Sequence, residues 1–394
     1  GVGGSQEDNG VPGSGAVYVY DCDVNGNYTL QAYIKASNTG SGDQFGSAVE
    51  LSSDGNTLAV GAVAEMSNAT GINGNQEDNS IIEAGAVYVF KRSGNSWVQE
   101  AYVKPSNTSQ NDLFGYYMSL SADGNTLAVG VPGEDCSTRG INGDDGNDGR
   151  INSGAVFVYT RSGSTWSQQA YIKGPNSDTY DFFGSAVALT ADGNLLAVGS
   201  QGEDSSATGM NGDQTNNDGS GVGAIFVYER QGSTWSQQAY IKPSVTASHA
   251  LGSALAISSD GNTLAAGAYS DDSSSTGING DEADRNASSS GALYIFVRSG
   301  STWSQEAYIK ASNTDQDDRF GDKVAISADG NIVAVGTELE QSSGTGINGN
   351  EADNSLTEAG AVYVFTRDGT TWSHQAYVKA PNTDEEDQFG DSIA

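Results

Sequence analysis

One phrase recurs through this chain at a nearly fixed interval, and any fold must accommodate it. Its clearest copy runs Phe183-Gly184-Ser185-Ala186-Val187-Ala188-Leu189-Thr190, then Asp192-Gly193-Asn194, then Leu195-Leu196-Ala197-Val198-Gly199. The opening Phe-Gly step returns at Phe45, Phe114, Phe320 and Phe389, with a degenerate version at Leu251. Successive starts lie 69, 69, 68, 69 and 69 residues apart. A second phrase, Gly-Ala followed by alternating aliphatic and aromatic residues, keeps step at Gly15, Gly85, Gly154, Gly223, Gly291 and Gly360. Self-similarity at such a period marks supersecondary units that bury their faces against their neighbours. The 394 residues therefore read as one domain, where length alone suggests two or three.

Each unit supplies four strands. In the third they are residues 183–190, 195–199, 223–228 and 235–242. Asp-Gly-Asn joins the first two as a tight hairpin, since Gly and Asn tolerate positive φ. A loop of about two dozen residues separates the second strand from the third, far more than a hairpin needs, and long loops on a rigid frame are where function concentrates. No stretch sustains a helical period, so no helix is predicted. Residues 1–14 are expected to enter at the end of a second strand, aligned with Val198-Gly199, and strands follow at 15–20 and 28–35. Residues 389–394 are expected to open one more first strand, which makes 24 strands in all. Equal four-stranded antiparallel units predict an all-β fold, a β-propeller. Six repeats of about 69 residues give six blades, with units starting near 45, 114, 183, 251 and 320. Residues 1–44 and 389–394 together form the closing blade. A seven-bladed ring follows if the chain is a fragment, and Gly1 in place of an initiator reads as a processed or cut chain.

The formal net charge is −33, from 50 acidic and 17 basic residues. That opposes nucleic acid and anionic membranes as partners, because both require a positive face. Lys35, Lys104, Lys173, Lys242, Lys310 and Lys379 end the same strand in successive units, and Arg92, Arg161, Arg230, Arg298 and Arg367 precede the same turn. Such regularity reads as architecture. Cys22 and Cys136 occupy non-equivalent places and make no disulfide framework. No run is long enough to span a bilayer and no signal peptide is evident.

Phe45-Gly46, Ala59-Val60-Gly61-Ala62 and Gly85-Ala86-Val87-Tyr88-Val89-Phe90, with Val131-Pro132 giving a GAP-like ending in the next unit, resemble the FG-GAP repeat of integrin α-subunit propellers and their bacterial relatives. The resemblance covers nearly the whole chain. It implies an extracellular propeller that binds proteins or surface polymers, often with calcium in blade loops. Integrin-type repeats carry that calcium between the first two strands. Here the connection has shrunk to Ser121-Ala122-Asp123-Gly124-Asn125, which has too few carboxylates for a cage.

The long loops hold their own repeated phrase: Glu65, Asn73, Asn75 and Asp78; Glu134, Asp135, Asn142, Asp144 and Asp148; Glu203, Asp204, Asn211, Asp213 and Asp218; Asp271, Asp272, Asn279, Asp281 and Asp284; Glu338, Glu340, Asn348, Asn350 and Asp353. Calcium takes six to eight oxygens on a backbone bent by Gly, and acidic groups on both sides of an Ile-Asn-Gly turn supply them if the loop folds back. These residues are the expected metal ligands and calcium the expected cofactor. The competing reading is that Asn and Asp cap turns with their own side chains.

Asp43, Asp112, Asp181, Asp318 and Asp387 sit two residues before the Phe-Gly step, where they are expected to accept backbone N–H bonds; His249 takes that place in the fourth unit. Trp97, Trp166, Trp235, Trp303 and Trp372 open the fourth strand and are expected to pack between blades rather than stack on sugars. Asp21-x-Asp23-x-Asn25-Gly26 imitates an EF-hand start, but Ala32 stands where the bidentate Glu belongs. His249 and His374 are the only histidines and hold different structural positions, so no Ser/His/Asp or Cys/His set can be assembled. Acids that recur in every unit do not make a singular active site. The expectation is a secreted or cell-surface, non-enzymatic adhesion module that meets a protein or glycan through acidic loops. A carbohydrate-binding or carbohydrate-active propeller, or the self-associating subunit of a surface filament or layer, are the alternatives.

Overall fold

A computed structural model describes residues 1–7, 9–247 and 249–394. All regular structure among them is β: five four-stranded antiparallel sheets in sequential order and one two-stranded sheet. The chain divides into two compact units, Gly1–Gly174 and Pro175–Ala394. In the first, Val17–Cys22 pairs with Tyr28–Ile34, and two blades follow. One is Phe45–Leu51, Thr57–Ala62, Ala86–Ser93 and Ser96–Val103; the other is Tyr117–Leu120, Thr126–Val131, Ala155–Ser162 and Thr165–Ile172. The second unit holds three blades. They are Phe183–Leu189, Leu195–Ser200, Ala224–Gln231 and Thr234–Ile241; Leu255–Ile257, Thr263–Ala268, Ala292–Ser299 and Thr302–Ile309; and Lys323–Ile326, Ile332–Thr337, Ala361–Asp368 and Thr371–Val378.

The hairpin between first and second strands is set by its Asp. Asp54 Oδ1 accepts the Asn56 amide N–H at 2.9 Å and the Ser52 hydroxyl at 2.6 Å, while Ser52 Oγ accepts the Thr57 N–H at 2.9 Å. These bonds favour the ionised carboxyl and hold Asp54 down at about 2. The same set recurs at Asp123 and Asp260.

The core lies between neighbouring blades within each unit. Ile34 and Ala36 pack with Phe45, Tyr88, Phe90 and Trp97, and Val87 and Val89 pack with Phe114, Leu127, Phe157 and Trp166. The Phe of the Phe-Gly step wedges edge-on against the aromatics of its third strand, as Phe45 does on Tyr88 with ring centroids 5.4 Å apart. Leu251 fills the same place fully buried. Two glycine contacts bring blades together. Gly85 pairs with Phe114 in a parallel bridge, and a Cβ on Gly61 would stand 2.0 Å from the Gly115 carbonyl oxygen.

Three expectations are corrected. The Phe-Gly step lies outside the strand at Phe114, Leu251 and Phe320, although its glycine takes positive φ in every unit, at Gly46 and Gly184 within strands as at Gly115, Gly252 and Gly321. Residues 389–394 form no strand; Phe389 docks its N–H on the Ala359 carbonyl, and turns and bends follow. The chain also does not begin at the end of a second strand. Val2 bridges Ile34 as Ile72 bridges Val103, and Lys35 N–H donates to Gly1 O as Lys104 N–H does to Gly71 O. Gly1 onward thus corresponds to Gly71-Ile72-Asn73-Gly74, inside the long loop. Among the described residues the strands number 22, not 24.

Candidate functional site

Each long loop leaves the second strand through an acid that is driven inward. Glu65, Glu134, Glu203, Asp271 and Glu340 are at most 1% exposed, and each meets the Lys that ends the fourth strand of its own blade. Lys104 Nζ lies 3.1 Å from Glu65, Lys173 2.6 Å from Glu134, Lys242 2.5 Å from Glu203, Lys310 3.1 Å from Asp271 and Lys379 2.8 Å from Glu340. Tyr171, Tyr240 and Tyr308 donate their hydroxyls to the same acids at 2.8 Å. Burial lowers the ammonium pKa of Lys104, Lys173, Lys242 and Lys310, against the pull of the paired acid.

Beyond this clamp the loop folds back on the fourth strand. Asn73, Asn142, Asn211, Asn279 and Asn348 take positive φ, which Asn tolerates, and each side-chain oxygen accepts the N–H of a strand tyrosine. Asn75, Asp144, Asp213, Asp281 and Asn350 each accept the N–H two residues on. Asp135, Asp204 and Asp272 accept the N–H groups of Asn152, Gly221 and Ser289 at 2.7, 2.7 and 2.9 Å. Asp78, Asp284 and Asp353 tie the loop to Asn68, Ser274 and Ser343 respectively. Asn216, not Asp218, holds that place in the third blade, through Ser206. Glu338 lies apart from its supposed partner Glu340 and belongs with Lys323, Asp322 and Asp391. Asp148 and Asp218 are exposed.

These placements do not fit a calcium cage. The inner acids pair with buried ammonium groups, the Asn and Asp oxygens accept backbone N–H bonds, and no group of three His, Cys, Asp or Glu able to hold a metal forms among the described residues. The Asn and outer Asp residues of the phrase cap turns, and its inner acids pair with lysine.

Two kinds of residue in the network escaped the sequence reading. Asn38, Asn107, Asn176 and Asn313 each donate Nδ2 to the acid of the following blade. Ser67, Ser205, Ser273 and Ser342 donate to the carbonyls of Asn75, Asp213, Asp281 and Asn350, a place that the Cys136 thiol takes towards Asp144 O. The signal was there: Lys-x-x-Asn recurs at the repeat interval, broken only by Val245.

The remaining repeated positions behave as architecture. Asp112, Asp181 and Asp318 accept the N–H three residues earlier, at 2.7–3.0 Å. Burial, with Glu134, Glu203 or Glu340 nearby, pushes them up to about 8, 7 and 8. At the odd blade, His249 Nδ1 stands 2.8 Å from Asp271 Oδ2, both side chains fully buried. The five tryptophans are 3–5% exposed, and Trp166 donates its indole N–H to Glu100 of the preceding blade while Arg161 lies over its ring. Arg161 also pairs with Glu100 at 2.9 Å, as Arg367 does with Glu306 at 3.0 Å.

No curated protein shows a significant match to the chain. Among solved structures it is similar to the periplasmic gluconolactonase PpgL of Pseudomonas aeruginosa, at 16% identity over 93% of both chains with a TM-score of 0.41. A putative TolB from Agrobacterium tumefaciens matches at 10% identity over 93% of this chain and 91% of that one, with a TM-score of 0.40. Sqt1 of Chaetomium thermophilum, solved bound to the N-terminus of the ribosomal protein L10, matches at 14% identity over 93% and 70%, with a TM-score of 0.48. Residues 28–90, 97–159 and 303–365 match the FG-GAP repeat. Each matched stretch runs from the last strand of one sheet to the third strand of the next, so the repeat unit straddles the packed interface between blades. By these three matches, which take in 189 of the 394 residues, the chain carries FG-GAP repeats.

Proposed function

We propose that this chain is a non-enzymatic binding or adhesion module of the cell surface or extracellular space, a six-bladed β-propeller whose long loops meet a protein or glycan partner. The observation that carries the reading is the equivalence of the loops. All five are pinned by the same buried Lys–acid pair and the same Asn-to-strand bond, which makes them rigid and alike. Rigid, repeated surfaces suit binding, because little loop entropy is lost on association. The same loops expose Glu77, Asp144, Asp148, Asp213, Asp218 and Asp281, and with a net charge of −33 they favour a partner that carries positive charge.

The test is a binding screen of the purified chain against basic and neutral proteins and a glycan panel at two ionic strengths. Saturable binding that weakens with salt, and weakens again when Asp144, Asp148, Asp213 and Asp218 become Asn, is expected. Binding indifferent to those four substitutions would remove the loops from the interface. Turnover of a glycan without stable binding would replace the module with an enzyme.

A further inference from the structure

The boundary between consecutive blades brings an amine, a carboxylate and a carboxamide together, and loop binding uses none of their reactivity. Asn38 Nδ2 donates to Glu65 Oε1 at 3.0 Å, and Lys104 Nζ donates to Oε2 of the same carboxylate at 3.1 Å. The Tyr88 hydroxyl donates to Asn38 Oδ1. Asn313, Glu340, Lys379 and Tyr363 repeat the set, at 3.0 Å for the amide and 2.8 Å for the ammonium, with the Tyr363 hydroxyl on Asn313 Oδ1. Glu65, Lys104, Glu340 and Lys379 are 0–2% exposed. Water, which would hydrate the ammonium, is kept from the lysine and its carboxylate in both sites, while Asn38 and Asn313 are half-buried.

We propose that these two sites close intramolecular amide bonds, Lys104 to Asn38 and Lys379 to Asn313, each with release of ammonia. The parts match the needs of acyl transfer. Glu65 accepts a proton from the Lys104 ammonium, and the freed amine forms a bond from Nζ to Asn38 Cγ. The developing oxyanion keeps the Tyr88 hydroxyl bond, as in other preorganised donor sites. Glu65 then carries protons from Nζ to Nδ2, the Cγ–Nδ2 bond breaks, and nitrogen leaves as ammonium. One ammonium and one carboxamide become one secondary amide and one ammonium, with no change of oxidation state. Desolvation lowers the Lys104 pKa and eases the first transfer. The product fastens the link after one fourth strand to the end of the next.

The chain carries its own comparisons. Phe157 and Phe226 stand where Tyr88 does, and Asn107 Oδ1 and Asn176 Oδ1 are buried without a hydrogen-bond partner, so those two carboxamides lack the oxyanion donor. Val245 replaces the carboxamide altogether, and the facing Tyr294 hydroxyl is left without a partner.

Intact-mass spectrometry of the denatured, reduced full chain tests this directly. The expected mass is that of the sequence less two molecules of ammonia, with Asn38–Lys104 and Asn313–Lys379 joined peptides in a proteolytic digest. Lys104→Arg keeps the charge beside Glu65 and should reduce the deficit to one ammonia. Tyr88→Phe, a residue the second and third blades already accept, should slow closure at that site by about 10²–10³-fold. An undiminished mass overturns the proposal. So does a deficit that maps to an Asn-Gly succinimide with Lys104 and Lys379 free.

Discussion

Lys173 Nζ stands 2.6 Å from Glu134 Oε2 with both side chains 1% exposed, and four other blades repeat the pair. Such a pair is weak evidence of net stabilisation, because desolving two charges offsets much of their attraction. Its consequence is positional: it fixes where the long loop leaves the sheet.

Breaking one half of the pair should cost more than replacing both. Glu134→Ala leaves Lys173 buried without its carboxylate partner, bonded to Ser153, and is expected to destabilise by about 3–5 kcal/mol, whereas Glu134→Leu with Lys173→Met should cost much less. Denaturant unfolding of the two variants checks the difference. Equal losses would show that the charges, not the unpaired remainder, hold the loop.

Stability should fall as pH rises from about 4 to 8. Asp112 and Asp318 have folded-state values raised to about 8 by burial beside Glu134 and Glu340, so the folded chain holds protons that the unfolded chain has released above 3.8. Their contribution is complete below that value and disappears through the folded value. Asp112→Asn with Asp318→Asn imitates the protonated form and should flatten the melting-temperature profile over this window. An unchanged slope would assign it to other groups.

Gly61→Ala should destabilise more than an ordinary core insertion of about 1–3 kcal/mol, because the new methyl meets the Gly115 carbonyl at 2.0 Å and backbone cannot swing aside. Gly94→Ala, where the added carbon meets nothing within 4 Å, isolates the cost of positive φ at about 1–2 kcal/mol. Thermal melts of the pair separate close approach from conformational strain.

Chelation and return of calcium should leave the melting temperature unchanged, since the oxygens of Glu65, Asn73 and their equivalents are engaged within the protein. A saturable rise with calcium but not magnesium would mean that exposed carboxylates such as Asp144 and Asp148 assemble a site when the ion arrives.

Much of the fold was legible because repetition converts weak local signals into one strong one. Phe183, Asp192-Gly193-Asn194 and Trp235 each mark a strand boundary only loosely, yet their return at 69 residues places every blade. The chain start was misread because Val2-Gly3-Gly4 suits both a strand end and a loop turn. Only the Val2–Ile34 bridge decides between them. The acids of the loops were found by their repetition, but repetition cannot tell a cage from a cap.

The sequence by itself determined the all-β class, the four-strand unit, and the recurring Lys, Arg, Asp and Trp positions as architecture. These depend on period and propensity, which are properties of neighbours along the chain. The tertiary structure decided what the loop acids do. Glu65 faces Lys104 across 39 residues and Asn38 across 27, distances along the chain that no local pattern encodes. Once the strands pair and the blades pack, a buried carboxylate must find a cation or donors nearby. The packing, not the spacing, made those partners Lys104 and Asn38.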